Sequence, residues 1–153
     1  MNDVILKRFE QPDEVVEFEK GKFETVRIGK MVIGRATYQP GWKWSEHVGP
    51  TVGATRCHLE HVGLVLSGTA TAAFDDGRVF ELRAGELFYI PPVPHDSWVV
   101  GDQPYVSLHF SEAERYARPW APNSAARVIA FARNGEVNHP ITRSGSASDG
   151  KTG

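Results

Sequence analysis

Cysteine is nearly absent: Cys57 is the only one in 153 residues. No internal disulfide can form, which fits a reducing compartment. Long apolar runs are missing as well. Nothing approaches the roughly 18 apolar residues of a spanning helix, and the opening MNDVILKRFEQPDE lacks the continuous apolar stretch of a secretory leader. The expected address is the cytoplasm, without membrane contact. Charge of one sign is not in excess either. Seventeen basic against nineteen acidic residues leave a formal charge of -2, a weak long-range field that speaks against a dedicated nucleic-acid binder. Between Phe23 and Phe110 no window of helical length keeps a 3.6-residue period, and no internal repeat is visible.

What the chain does have is punctuation. Fifteen glycines and ten prolines fall between short apolar runs, which favours an all-β fold, and the length suits one domain with its own core. The spacing predicts strands at Val4–Phe9, Phe23–Ile28, Met31–Tyr38, Cys57–Leu66, Thr69–Asp75, Val79–Leu82, Leu87–Ile90, His95–Val100 and Tyr105–Phe110. Gly29-Lys30 and Asp75-Asp76-Gly77 supply hairpin reversals. Nine short antiparallel strands manage their edges by closing into a barrel or a two-sheet jelly roll, and the jelly roll is expected. Ser111 with Glu114 three residues on has capping-box spacing and predicts a short C-terminal helix over Ser111–Arg118, ended by Pro119. Ala125–Ala132 is one more short element of undetermined type. The domain is expected to span 1–137 with its core at 23–110. The polar stretch 138–153 is expected to be a disordered tail.

Six histidines are present, and four of them, His47, His58, His61 and His95, fall in or near two turn-rich stretches, PGWKWSEHVGPTVGATRCHLEHVGLVLSG and AGELFYIPPVPHDSWVVGD. On a strand, Cys57, Leu59 and His61 would share one face, with His58 and Glu60 on the other. Cys57 and His61 would lie about 13 Å apart on a flat strand, too far to share an ion unless curvature, a bulge or other strands close the gap. Trp42, Trp44 and Trp98 surround the same stretches, as core edge or cavity rim, and each N–H needs a partner if buried. Strand parity points Asp96 outward. His109 lines the pocket or not according to an uncertain strand boundary.

These two stretches resemble the two motifs of the cupin superfamily, over roughly Pro40–Val100. Its first motif runs from Pro-Gly through two histidines one residue apart to a glutamate, and closes on a glycine seven residues later. Pro40-Gly41 opens it here and Gly68 closes it, which puts His61 at the glutamate position, Cys57 at the second histidine and Thr55 at the first. His47 lies further upstream. The second motif matches Gly85-Glu86 and Ile90-Pro91-Pro92-Val93-Pro94-His95, one residue short of the common spacing. The resemblance implies an antiparallel double-stranded β-helix and a metal site drawn from His47, Cys57, His61 and His95.

A thiolate in place of a carboxylate tilts the preference toward zinc or iron, with nickel or copper as further candidates, over manganese or magnesium. If Cys57 only packs, three neutral imidazoles remain. Two functions stay open. One is a metal-dependent enzyme of dioxygenase or isomerase type. The other is a non-catalytic cupin that binds or senses a small molecule. No catalytic residue is assigned. Because both faces of Val62–Leu66 are apolar, cover is expected outside the barrel as well as inside, and a homodimer supplies it.

Overall fold

The computed structural model describes residues 3–118 and the backbone of residues 127–130. In chain order the elements are β1 (Glu14–Phe18), β2 (Gly21–Ile28), β3 (Met31–Tyr38), the one-turn helices α1 (Trp44–His47) and α2 (Gly49–Val52), β4 (His61–Ser67), β5 (Thr69–Phe74), β6 (Val79–Arg83), β7 (Leu87–Ile90), β8 (His95–Asp96), β9 (Tyr105–His109) and β10 (Arg127–Ala130). They form a seven-stranded sheet, ordered β10-β1-β2-β3-β9-β4-β7, and a three-stranded sheet, β6-β5-β8. Every pairing is antiparallel. A single core spans both sheets, with Phe23 and Ala36 from the large one and Ala70 and Ala72 from the small one. The fold is the all-β double-stranded architecture that the sequence predicts, although the sheets do not close into a barrel. Among the described residues no helix is long and apolar enough to cross a membrane.

Local chemistry accounts for the reversals. β2 and β3 pair from Gly21↔Tyr38 to Ile28↔Met31, and the two-residue link between them begins with Gly29 at φ 57, a left-handed conformation that only glycine adopts without steric cost. The β5–β6 turn uses Gly77 at φ 91, and the Asp76 carboxylate accepts from the Arg78 N–H at 3.1 Å.

Three expectations are corrected. Val4–Phe9 is not a strand: Val4, Ile5 and Leu6 are exposed, and the first strand is β1, where Val15 and Val16 are both buried. The predicted strand starting at Cys57 begins only at His61. Ser111–Arg118 forms turns and not a helix, because Glu112 and Ala117 have φ of 54 and 52. The Ser111 hydroxyl, expected as a cap, instead accepts from the Val62 N–H at 2.9 Å. That segment still buries Ala113, Tyr116 and Ala117, so packing against the sheet replaces helical hydrogen bonding. Within Ala125–Ala132, residues Arg127–Ala130 pair with β1 as a strand. His139 and the predicted tail 138–153 lie outside the described residues.

Candidate metal centre

The separation problem between Cys57 and His61 is solved by a change of sheet. Cys57 exchanges both backbone hydrogen bonds with His95 of β8, at 2.9 and 3.0 Å, and so belongs to the small sheet's side. His61 opens β4 in the large sheet and pairs with Ile90. The chain therefore crosses between sheets over four residues while keeping its alternation: Cys57, Leu59 and His61 are buried and His58 is exposed. The crossing brings Cys57 Sγ to 3.4 Å from His61 Nε2. His95 is fixed from two sides, by the Cys57 backbone and by its pairing with Phe74 of β5.

Cys57, His61 and His95 each place one ligand-type atom within 4.8 Å of the others, and all three residues are buried. Bond lengths of about 2.3 Å to sulfur and about 2.05 Å to imidazole nitrogen imply a sulfur–nitrogen edge of roughly 3.5 Å in a tetrahedral zinc site. The observed 3.4 Å already matches that edge. The tautomer of His95 is also set. Its Nδ1–H donates to the Val93 carbonyl at 2.8 Å, which leaves the Nε2 lone pair for an ion, the usual arrangement behind a ligating imidazole.

Burial controls the charge of these groups. It pushes the Cys57 thiol up to about 12, against partial relief from the Leu59 and His58 N–H groups, so without an ion the sulfur carries its proton. Burial also holds the His61 imidazole well below its ordinary range, and repulsion from His109 and His95 adds to this. His95 is lowered by burial in the same way, with the Val93 carbonyl opposing. The site thus starts with neutral imidazoles, as metal binding requires.

Of the remaining sequence candidates, only His109 reaches the cavity. His47 is not in the cluster: its Nδ1 lies 2.9 Å from the Lys43 N–H, at the end of α1. Thr55 is exposed. Asp96 is buried and not turned to solvent, because the segment 43–47 folds over it. Its carboxylate accepts from the Ser45 N–H at 3.0 Å and the Ser45 hydroxyl at 2.7 Å, so it anchors a loop, and it acts on His95 only through space, its charge opposing the lowering by burial. His109 does line the cavity, with Nε2 3.0 Å from the Ser107 hydroxyl and its ring centroid 5.6 Å from that of His61.

The cluster opens on a partly open cavity of about 40 Å³. Tyr38 donates to the Tyr116 hydroxyl at 2.6 Å beside it, a buried pair that the sequence does not announce because Tyr116 falls in the mispredicted helix. Trp42 and Trp44 line the cavity too. They are 1% and 3% exposed, and neither indole N–H has an acceptor among the described residues.

Residues 34–110, half of the chain, match the Cupin domain family model. The chain belongs to the cupin family. No curated protein matches this cupin. Solved structures resemble it at low identity. One is an uncharacterised conserved protein with a double-stranded β-helix domain from Klebsiella pneumoniae, 22% identical over 60% of this chain and 75% of its own, with a TM-score of 0.44. The polyketide cyclase RemF from Streptomyces resistomycificus is 20% identical over 69% of this chain and 78% of its own, with a TM-score of 0.48. Oxalate decarboxylase from Bacillus subtilis, described for its Mn(II) centres, is 21% identical over 80% of this chain but 30% of its own, with a TM-score of 0.46. Cys57 and His61, which the resemblance of the first motif sets at its usual histidine and glutamate positions, are both brought to the cluster by the fold.

Proposed function

We propose that this cupin binds one divalent transition ion through Cys57, His61 and His95 and presents it to a small molecule in the cavity. The observation that carries this reading is the convergence of one thiol and two neutral imidazoles, all buried, on one point. Soft sulfur with two imidazoles favours zinc or iron over harder ions. His47 has no part in the set. When bound, the ion supplies Lewis acidity, polarising a carbonyl or lowering the pKa of water. The chain's own contribution is exclusion of bulk water by Phe88, Ile90 and the two indoles, and orientation of His95 by the Val93 carbonyl.

Elemental analysis of untagged protein tests the reading: one equivalent of ion per chain is expected, and none in the double variant His61→Ala, His95→Ala. If the double variant keeps its equivalent, the ion is held elsewhere. A second reading, a ligand-binding cupin without turnover, is favoured by the lining of the cavity, which among the described residues contains no carboxylate and no lysine or arginine. Proton transfer is then left to tyrosine and neutral histidine. Ligand binding to the loaded protein without consumption of that ligand or of dioxygen would select this reading.

A further inference from the structure

One sheet edge is left open in a form that natural sheets avoid. β7 is the last strand of the large sheet, and its four residues, Leu87-Phe88-Tyr89-Ile90, carry none of the charges or prolines that usually blunt an edge. The edge strand of the small sheet, β6, carries Glu81 and Arg83. Antiparallel alternation fixes which main-chain groups of β7 are free. On β4, the Val65 N–H donates to the Glu86 carbonyl at 3.0 Å and the Val65 carbonyl accepts from Gly85 at 2.9 Å, whereas the Val62 carbonyl is turned the other way and accepts from Phe110. Gly63 and His61, in step with Val65, therefore bond to Phe88 and Ile90, and the N–H and C=O groups of Leu87 and Tyr89 point away from β4. No strand or loop among the described residues pairs with them. The same two residues expose large apolar side chains.

Only one register answers all four groups. A second copy laid antiparallel, with the two-fold axis at Phe88, sets Leu87 against the second copy's Tyr89 and Tyr89 against its Leu87, two reciprocal pairs that use every outward N–H and C=O. An axis at Leu87 would call on Gly85, whose N–H is already given to Val65. An axis at Tyr89 would call on Pro91, which has no N–H. With the axis at Phe88, Glu86 falls opposite Ile90, so no like charges meet across the seam. The leucines and tyrosines form one apolar row on the outer face, backed by Val62 and Leu64 of β4. β6 runs into β7 through the turn at 84–86, and its Val79 and Phe80 are half-exposed as well. Together these four side chains offer on the order of 500 Å² per copy, a large part of the roughly 800 Å² that each partner gives to a standard interface.

We infer that β7 is a self-pairing edge: two copies of the chain join through Leu87 and Tyr89 about a two-fold axis at Phe88, which makes one continuous sheet across both. The inference does not depend on the metal reading. Phe88 and Ile90 line the cavity, so the strand that walls the site is also the strand at the interface.

The test uses the full chain with single cysteines introduced on β7. In the inferred register the Cα atoms of Leu87 and the second copy's Tyr89 lie about 5.5 Å apart, within disulfide reach, whereas each residue lies on the order of 9 Å from its own counterpart, beyond it. Leu87→Cys and Tyr89→Cys proteins, mixed while dilute, reconcentrated and mildly oxidised, should give a covalent dimer. Either variant alone should not, nor should the parent, whose own Cys57 is buried. Hydrogen exchange on the parent needs no variant: the Leu87 and Tyr89 amides should be protected in concentrated protein and lose that protection at least ten-fold on dilution, while the amides of β9 keep theirs. The inference is overturned if either variant alone cross-links as fast as the mixture, if the mixture does not cross-link, or if the two amides exchange freely at every concentration. Protection that persists in a monomer at every dilution would place another segment of this chain on the edge, and overturns it equally.

Discussion

Cys57 and His109 are both neutral inside the metal-free protein, and each makes a distinct pH signature. Burial holds the His109 imidazole down at about 4, from an ordinary 6.5. Above pH 6.5 neither the folded nor the unfolded chain protonates it. Between 6.5 and about 4 only the unfolded chain takes the proton, so stability falls with falling pH, by on the order of 3 kcal/mol across that window. Urea unfolding of metal-free protein at pH 7 and pH 4.5 should show the drop, and His109→Phe should shrink it without abolishing it, because His61 and His95 are lowered as well; an unchanged acid limb in that variant would remove His109 as a source. The Cys57 thiol works at the other end. Raised from 9.0 to about 12, it stays protonated in the fold while the unfolded chain ionises, so stability declines again as pH climbs past 9. Metal reverses the preference, because only the thiolate ligates. Metal affinity should therefore keep rising with pH beyond the imidazole range, and Cys57→Ser should lower it by orders of magnitude and abolish the sulfur-to-cobalt charge-transfer band. A serine variant with parent affinity and spectrum would leave Cys57 a packing residue.

The four-residue crossing from Cys57 to His61 depends on how closely β4 lies against its neighbours. Gly63 sits opposite His109 and against Phe88, and a Cβ there would stand 2.3 Å from the Leu108 carbonyl oxygen and 2.4 Å from the Phe88 ring. The backbone contact cannot relax by a rotamer change, so Gly63→Ala should cost about 1–3 kcal/mol and weaken metal binding by displacing His61. Chemical denaturation of the metal-free variant separates the two effects, and parent-like stability would show that β4 has room to move. Element by element, the strands from Phe23 to Phe110 were largely legible, because alternation and glycine or aspartate turns are local signals. The Cys57–His61 face was legible too, since burial alternates through the crossing. Its geometry was not: the jump between sheets is made by a backbone pairing of Cys57 with His95, thirty-eight residues on, which no local pattern encodes. Ser111 misled for a similar reason. Its hydroxyl has the spacing of a cap, yet a distant strand's N–H competes for it. Val4, Ile5 and Leu6 read as a strand on composition alone, while β1 was hidden by Glu14 and Glu17 on either side of its buried valines.

For the whole molecule, the outer surface of the large sheet leaves large apolar side chains exposed. Leu87 and Tyr89 are 75% and 63% exposed on β7, its last strand, and pair with Leu64 and Val62 on β4. An apolar edge strand of this kind can pair with its own copy about a two-fold axis. Sedimentation velocity is expected to show a dimer that Leu87→Lys with Tyr89→Lys dissociates; a parent that stays monomeric over a hundred-fold concentration range would discard it. The interior has a different consequence, which follows from the single cysteine. Alkylating reagents attack thiolates they can reach, and in this chain every label must land on one buried sulfur beside the cavity. The labelling rate of the native protein is then a clock for the opening of the two sheets, one site and one exponential, with the slowing produced by a bound ion giving occupancy without a spectroscopic probe.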